Sequence, residues 1–122
     1  MLLRELFKSP RMFQVWEYTV GHKQLLLRST KEEMSDRRID VYFKNVGAIN
    51  LLTVLNGLEI NEATAGDAIE LQQEIAEAAL DGRRAFFVGT GSFQGYVVAS
   101  MVAWHEDGGE YDDPSYFKLR NT

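Results

Sequence analysis

The stretch from Tyr96 to His105 constrains the fold most, because apolar side chains occupy both faces of the strand that it predicts. Successive side chains of a β-strand point to opposite faces. Burying a large apolar side chain is worth roughly 1.5–3 kcal/mol, so a bare row of them would consume much of an ordinary domain's stability. Both faces therefore need a cover. One face carries Tyr96, Val98, Val102 and Trp104, and the other carries Val97, Ala99, Met101 and Ala103.

A helical pattern between Asn61 and Arg84 predicts the cover for one of these faces. At about 100° per residue, Leu71 and Ile75 fall on an apolar side, opposite a row of acidic residues. Thr64, followed by Asp67, resembles a capping box, and a glycine after the last turn is typical of a helix end. We expect one amphipathic helix over about residues 65–81.

The rest of the chain predicts about seven strands. Aromatic and β-branched stretches bounded by turn residues are typical of strands. Asn56-Gly57 predicts a hairpin turn, and Ser9-Pro10 predicts a break. Strands followed by one helix and further strands indicate an α+β domain, with a mainly antiparallel, curled sheet packed on the helix. The predicted strands are Met12–Val20, Gln24–Arg28, Arg38–Lys44, Ala48–Leu55, Leu58–Ile60, Arg84–Val88 and Tyr96–His105.

The third of these strands alternates between apolar and polar side chains. Ile39, Val41 and Phe43 share one face, which we expect to lie against the core. We expect the other face, with Arg38, Asp40, Tyr42 and Lys44, to contact water.

Composition limits the class of protein. The length of 122 residues predicts a single domain, 1–122. The net charge of −5 argues against nucleic acid as a partner. No apolar run approaches the ~20 residues of a membrane span, and the charged start of the chain does not resemble a secretory signal. We therefore expect a cytoplasmic location. The absence of cysteine excludes thiolate metal sites and a cysteine nucleophile.

The string Gly89–Val97, GTGSFQGYV, resembles the glycine-rich loop of protein kinases, although its third glycine comes one position late. The other kinase motifs are missing, so the string predicts glycines in a hairpin loop. The acidic residues around His105-Glu106-Asp107 lack the spacing of a calcium loop and predict a solvated loop. The sequence predicts no catalytic residue, no metal and no cofactor.

Two sets of residues remain as candidates for a binding surface. Aromatic residues at alternate strand positions are usually core, but they also line pockets and dimer faces. Like charges at helical spacing favour a solvated face, or a landing site for a basic partner. The aromatic set is Trp16, Tyr18, Tyr96 and Trp104, and the acidic stripe is Glu70, Glu74, Glu77 and Asp81.

The blocks WEYTVGHKQLLLRS (Trp16–Ser29) and RIDVYFKNVGAINL (Arg38–Leu51), about a quarter of the chain, resemble small bacterial α+β proteins with no assigned activity. The resemblance implies a bacterial origin and no mechanism. Three hypotheses follow for the uncovered face. The favoured one is a non-enzymatic interaction domain whose partner is a second copy or another protein. The others are a small-molecule-binding cup walled by Trp16 and Trp104, and an immunity-type inhibitor of a basic toxin enzyme that uses the acidic stripe.

Overall fold

The computed structural model describes residues 4–32, 35–62, 77 and 82–119. These residues form eight strands in one antiparallel sheet, in the order β4-β7-β6-β5-β1-β2-β3-β8. No helix among them is long and apolar enough to cross a membrane. The strands are β1 (Arg4–Thr19), β2 (Gln24–Ser29), β3 (Arg38–Lys44), β4 (Ala48–Asn50), β5 (Val54–Glu62), β6 (Arg84–Thr90), β7 (Phe93–Ala99) and β8 (Met101–Asp107).

The prediction of an α+β domain packed on a helix is wrong. The core of the described residues lies between two parts of the same sheet, where the rings of Phe43 and Phe86 approach to 6.0 Å. The predicted helix, 65–81, lies outside the described residues except for Glu77. The prediction expected a curled sheet but assigned the cover of its apolar face to the helix, whereas the curl brings the inner face of the sheet against itself. The buried cluster is Phe13, Leu25, Leu27, Val41, Phe43, Val46, Leu55, Leu58, Ile60, Phe86, Val88, Val97 and Ala99.

A bend at Ser100 joins the two halves of the curled sheet. Before the bend β7 pairs with β6, and after it β8 pairs with β3. Val97 and Ala99 belong to the core before the bend, but Val102 packs against the core after it. The inward side of the chain therefore changes from odd to even positions at Ser100, whose N–H donates to the carbonyl of Lys44 at 2.9 Å. This switch explains the apolar residues on both faces of the predicted strand.

The first strand continues through a proline. The pairing of β1 with β5 passes from Ser9 opposite Leu58 to Met12 opposite Asn56, so Pro10 lies in a bulge that needs no ladder hydrogen bond from it. The predicted break at Ser9-Pro10 is wrong for this reason. The predicted hairpin at Asn56-Gly57 is also wrong, because the positive φ of Gly57, +87°, serves the same irregular pairing inside β5.

Other local predictions are confirmed. β1 and β2 form an antiparallel hairpin that closes with Thr19 opposite Gln24. β3 has the predicted bounds, Arg38–Lys44. β6 and β7 form a hairpin in which Thr90 pairs with Phe93, and Gly91 takes a positive φ of +56°. These elements have strong local signals, namely regular alternation or glycine in a tight turn.

The prediction that the polar face of β3 contacts water is confirmed for Lys44 and wrong for the other three residues. Arg38, Asp40 and Tyr42 are buried on the outer face of the sheet, which is the face opposite the core. Residues 108–119, which we call the C-terminal segment, cover them. The ring of Phe117 stacks on Tyr42 with centroids 4.9 Å apart. The other partners of this face are side chains and backbone carbonyls, as described below.

A pair of glycines in the β6–β7 hairpin offers a test of this packing. A methyl group on Gly95 would lie 1.9 Å from the carbonyl oxygen of Asn50 in β4, whereas one on Gly89 would meet nothing closer than 3.9 Å. We expect Gly95→Ala to destabilise the protein by about 1–3 kcal/mol or more, because backbone has to move. Gly89→Ala, the control, should stay within about 0.5 kcal/mol of wild type. Urea unfolding measures both, and equal losses would contradict the strand arrangement.

Candidate functional site

A groove of about 260 Å³ lies beside β8 at the open end of the curled sheet. It forms because β8 leaves β7 at Ser100 to pair with β3, and so moves away from β6. Apolar side chains from three strands, β1, β6 and β8, share the groove with charged groups from the ends of β1, β5 and β6. The lining residues are Arg4, Leu6, Glu62, Arg84, Phe86, Met101, Val102 and Trp104.

Trp104 is the main exposed feature of this groove. Its ring packs at 5.2 Å from the ring of Phe7, yet 45% of the residue stays exposed, and Met101 is 38% exposed. β8 is also an end strand: within the described part of the chain it pairs with β3 alone. Half of its N–H and C=O groups therefore point away from the ladder, as on any edge strand.

Charge is divided along β8. Near Met101 lie cations: Lys44 is its exposed partner in β3, and Arg4 and Arg84 line the groove. The Arg84 Nη1 donates to Glu62 Oε1 at 2.7 Å. The other end of β8, which we call its acidic end, carries Glu106 and Asp107, whose carboxylates lie 3.7 Å from Arg37 and 3.1 Å from Arg38. The strand thus has a basic end at Met101 and an end with two arginine-paired carboxylates, on either side of its exposed tryptophan.

The outer face holds a buried charged cluster that the sequence reasoning missed. Arg28 and Asp40 lie directly opposite each other on β2 and β3, and both side chains are only 2% exposed. Two hydrogen bonds join them, Nε to Oδ1 at 2.7 Å and Nη2 to Oδ2 at 3.0 Å. Arg28 also donates to the carbonyl of Tyr111 at 3.1 Å and lies 5.1 Å from the ring of Trp16. Every group in this cluster faces the C-terminal segment.

Arg38 binds the C-terminal segment from the outer face of the sheet. Its guanidinium binds the carboxylate of Asp107 through two hydrogen bonds of 3.1 Å. It also donates to three carbonyls of the segment, those of Glu110, Asp113 and Pro114, at 2.7–3.1 Å. Gly109 lies directly above, where a methyl group would be 2.5 Å from the guanidinium. The only sequence signals for this arrangement are the charged residues inside strands and Gly108-Gly109.

Asp107 is held in its ionised form. Burial opposes ionisation, but the hydrogen bond from Arg38, the bond from the Gly109 N–H and the charges of Arg38 and His105 outweigh it. The pKa of Asp107 therefore lies below its ordinary value of 3.8. His105 lies 3.4 Å from this carboxylate through Nδ1, and its ring stacks on Tyr116 at 3.9 Å.

The structure does not bring the four predicted aromatic residues together. Trp16 lies on the outer face beside Tyr111, at 4.9 Å between ring centroids, whereas Trp104 lies on the inner side beside Phe7. Tyr18 is 40% exposed near the end of β1, and Tyr96 lies on the outer face of β7. The two tryptophans therefore do not wall one cup.

The acidic stripe and the acidic residues after β8 were both predicted to be solvated. Of the acidic stripe, Glu70, Glu74 and Asp81 lie outside the described residues, and Glu77 is exposed. The acidic residues after β8 are partly used as structure, since Lys31 binds Glu110 at 2.7 Å and Arg38 binds Asp107. Among the residues that the structure describes, no three histidine or carboxylate groups are placed to hold a metal ion.

No model of a protein family, no curated protein and no solved structure significantly matches the chain. The resemblance of the blocks Trp16–Ser29 and Arg38–Leu51 to small bacterial proteins stays a prediction.

The Arg28–Asp40 pair predicts a large loss when one partner is removed. Asp40→Ala leaves a buried guanidinium without its carboxylate, so we expect a loss of about 3–5 kcal/mol in the free energy of unfolding. Replacing both, as Arg28→Met with Asp40→Leu, should recover most of that loss because no unpaired charge remains. Lys31→Ala, which breaks an exposed pair, should cost at most about 1 kcal/mol. Urea unfolding that ranks the double variant below Asp40→Ala would contradict this account.

The lowered pKa of Asp107 predicts a pH dependence. Its ion pair contributes its full stability above the ordinary pKa near 4, and this contribution is lost as the pH falls through the lowered pKa. The difference in unfolding free energy between wild type and Asp107→Asn should therefore be constant above about pH 5 and shrink towards pH 2. Asp112→Asn, at an exposed position of the same segment, is the control. A difference for Asp107→Asn that does not change with pH would refute the assignment.

Proposed function

We propose that this protein is a non-enzymatic interaction domain that forms a homodimer through the free edge of β8. The observation that carries the proposal is Trp104, 45% exposed on an edge strand beside an apolar groove. Tryptophan, methionine and arginine are enriched at protein interfaces, and the groove at β8 contains all three. An edge with such side chains, to which no strand of the described residues is paired, is a template for another strand.

The charges of β8 favour a second copy as that strand. An antiparallel two-fold pairing centred on Trp104 places each strand's acidic end against the basic end of the other. Met101 of one copy then faces Asp107 of its partner, and Lys44 lies next to that position. The two Trp104 side chains become a cross-strand aromatic pair on one face of the joined sheets. A parallel pairing would instead place acid against acid.

The apolar faces of the sheet do not by themselves require this partner. The bend at Ser100 places Val97 and Ala99 in the core, and Val98 is buried as well, so part of the row that suggested a partner is already covered. The proposed dimer therefore forms through the edge of β8 and its groove. That location separates the proposed interface from the core.

Light scattering coupled to size exclusion tests the proposal. We expect a dimer at tens of micromolar, since interfaces that use one strand edge and a small groove bind in roughly the micromolar range. Trp104→Glu should give a monomer, because it adds like charges at the two-fold axis. Val20→Glu changes an apolar residue that is 78% exposed away from β8, so it should remain a dimer. A wild-type monomer at about 100 µM, or a dimer that survives Trp104→Glu, would contradict the proposal.

A charge exchange tests the orientation. Lys44 and Glu106 lie near opposite ends of the β3–β8 pair, about 17 Å apart along one copy, so they do not contact each other there. Lys44→Glu should weaken the dimer severalfold, and adding Glu106→Lys should restore it, as expected for exposed ion pairs worth up to about 1 kcal/mol. Sedimentation equilibrium measures both dissociation constants. Additive weakening would exclude the antiparallel pairing.

A further inference from the structure

A second cavity, of about 680 Å³, lies at the end of the sheet formed by the β6–β7 hairpin, and residues from both faces of the sheet line it. Three irregular features border it: the bulge of β1 at Ser9-Pro10, Gly57 in β5, and the β6–β7 hairpin around Gly91. It belongs neither to the proposed dimer edge nor to the cluster under the C-terminal segment. We call it the hairpin cleft.

Gly89, on the floor of the hairpin cleft, has no role in the fold that requires glycine. Its φ is not positive, in contrast to Gly91. A methyl group there would make ordinary contacts at 3.9 and 4.0 Å, in contrast to Gly95. Glycine inside a strand weakens it and often marks a place where a ligand approaches the backbone. The position therefore keeps space open above the sheet.

The polar walls of the cleft balance in charge. Lys8 and Glu59 are opposite each other on β1 and β5, so one ammonium group accompanies one carboxylate. The side-chain amide of Asn61 donates to Glu59 at 3.3 Å, and Gln94 lies opposite Gly89 on β7. A phosphate would meet the carboxylate of Glu59, and a cation would meet Lys8. The walls suit a neutral ligand that both donates and accepts hydrogen bonds.

The cleft also has apolar surface between its polar groups. Phe93 and Pro10 line it together with the hydroxyl-bearing Ser92 and Thr90. The Thr90 hydroxyl donates to the carbonyl of Asn56 at 2.9 Å, which leaves its oxygen as an acceptor. A pyranose ring has hydroxyl groups around its rim and C–H groups on its faces, so it matches a cavity that is lined by amides, a carboxylate and an aromatic side chain. From this match we propose that the hairpin cleft binds a neutral saccharide.

The test uses the full chain and named sugars. Backbone amide shifts are followed by NMR during separate titrations with cellotetraose, maltotetraose, chitotetraose and mannotetraose. We expect at least one of them to shift Glu59, Asn61 and residues 89–94 selectively, with a dissociation constant of about 1 mM or tighter. No selective shift with any of the four would overturn the proposal. Shifts at these residues with inorganic phosphate, and none with the sugars, would overturn it as well.

Variants then locate the site. Gly89→Val fills the floor, and Gln94→Ala removes one amide, so each should weaken sugar binding at least about tenfold. Gln14→Ala, on β1 outside the cleft, should leave binding unchanged. Thermal unfolding confirms that each variant is folded, and Gly89→Ala offers a smaller filling group if valine perturbs the strand. Equal binding by wild type, Gly89→Ala and Gln94→Ala would place the sugar elsewhere and refute the site. The result is independent of the dimer, whose failure would appear only in light scattering.

Discussion

The structure depends on the reversal of the chain's inward side at Ser100. A single sheet buries its own apolar face only if it curls, and a curled sheet needs a strand that crosses from one half to the other. The bend lets β7 complete the half that contains Phe86, and lets β8 complete the half that contains Phe43. The same divergence of β8 from β6 opens the groove that Trp104 lines. Closure of the core and exposure of this edge thus have one cause.

The outer face shows a different solution to burial. Here the chain buries two arginines, and it satisfies them with carboxylates and with carbonyls of the C-terminal segment. Buried guanidinium groups are tolerated when their donors find acceptors in a fixed arrangement. Replacing such pairs with apolar residues is often no less stable, so their value here is the precise placement of the segment.

The sequence predicted the elements that local signals determine, and missed what depends on distant pairing. The bounds of β3 and the β6–β7 hairpin follow from alternation and from glycine in a tight turn. The path of β1 through Pro10 does not follow from a local signal. The missing N–H of proline breaks a strand only where the partner strand accepts a hydrogen bond from that position. The burial of Arg38 was equally hidden, since its acceptors lie 69–76 residues away along the chain. The fold class was predicted wrongly because a helix over 65–81 was expected to cover the sheet, whereas the curl of the sheet buries the core of the described residues.

The edge of β8 and the hairpin cleft share one property. Each contains a residue that the fold does not require. Gly95 is explained by the backbone of Asn50, and Gly109 by the guanidinium of Arg38, so neither needs a functional reason. Gly89 has no such explanation. Trp104 is exposed, so it adds little stability by burial, and a smaller polar residue on this edge would favour solubility. Natural sequences tend to violate local rules where function offsets the cost. The edge of β8 and the floor of the hairpin cleft are therefore the places where binding is the simplest reason for the residue present.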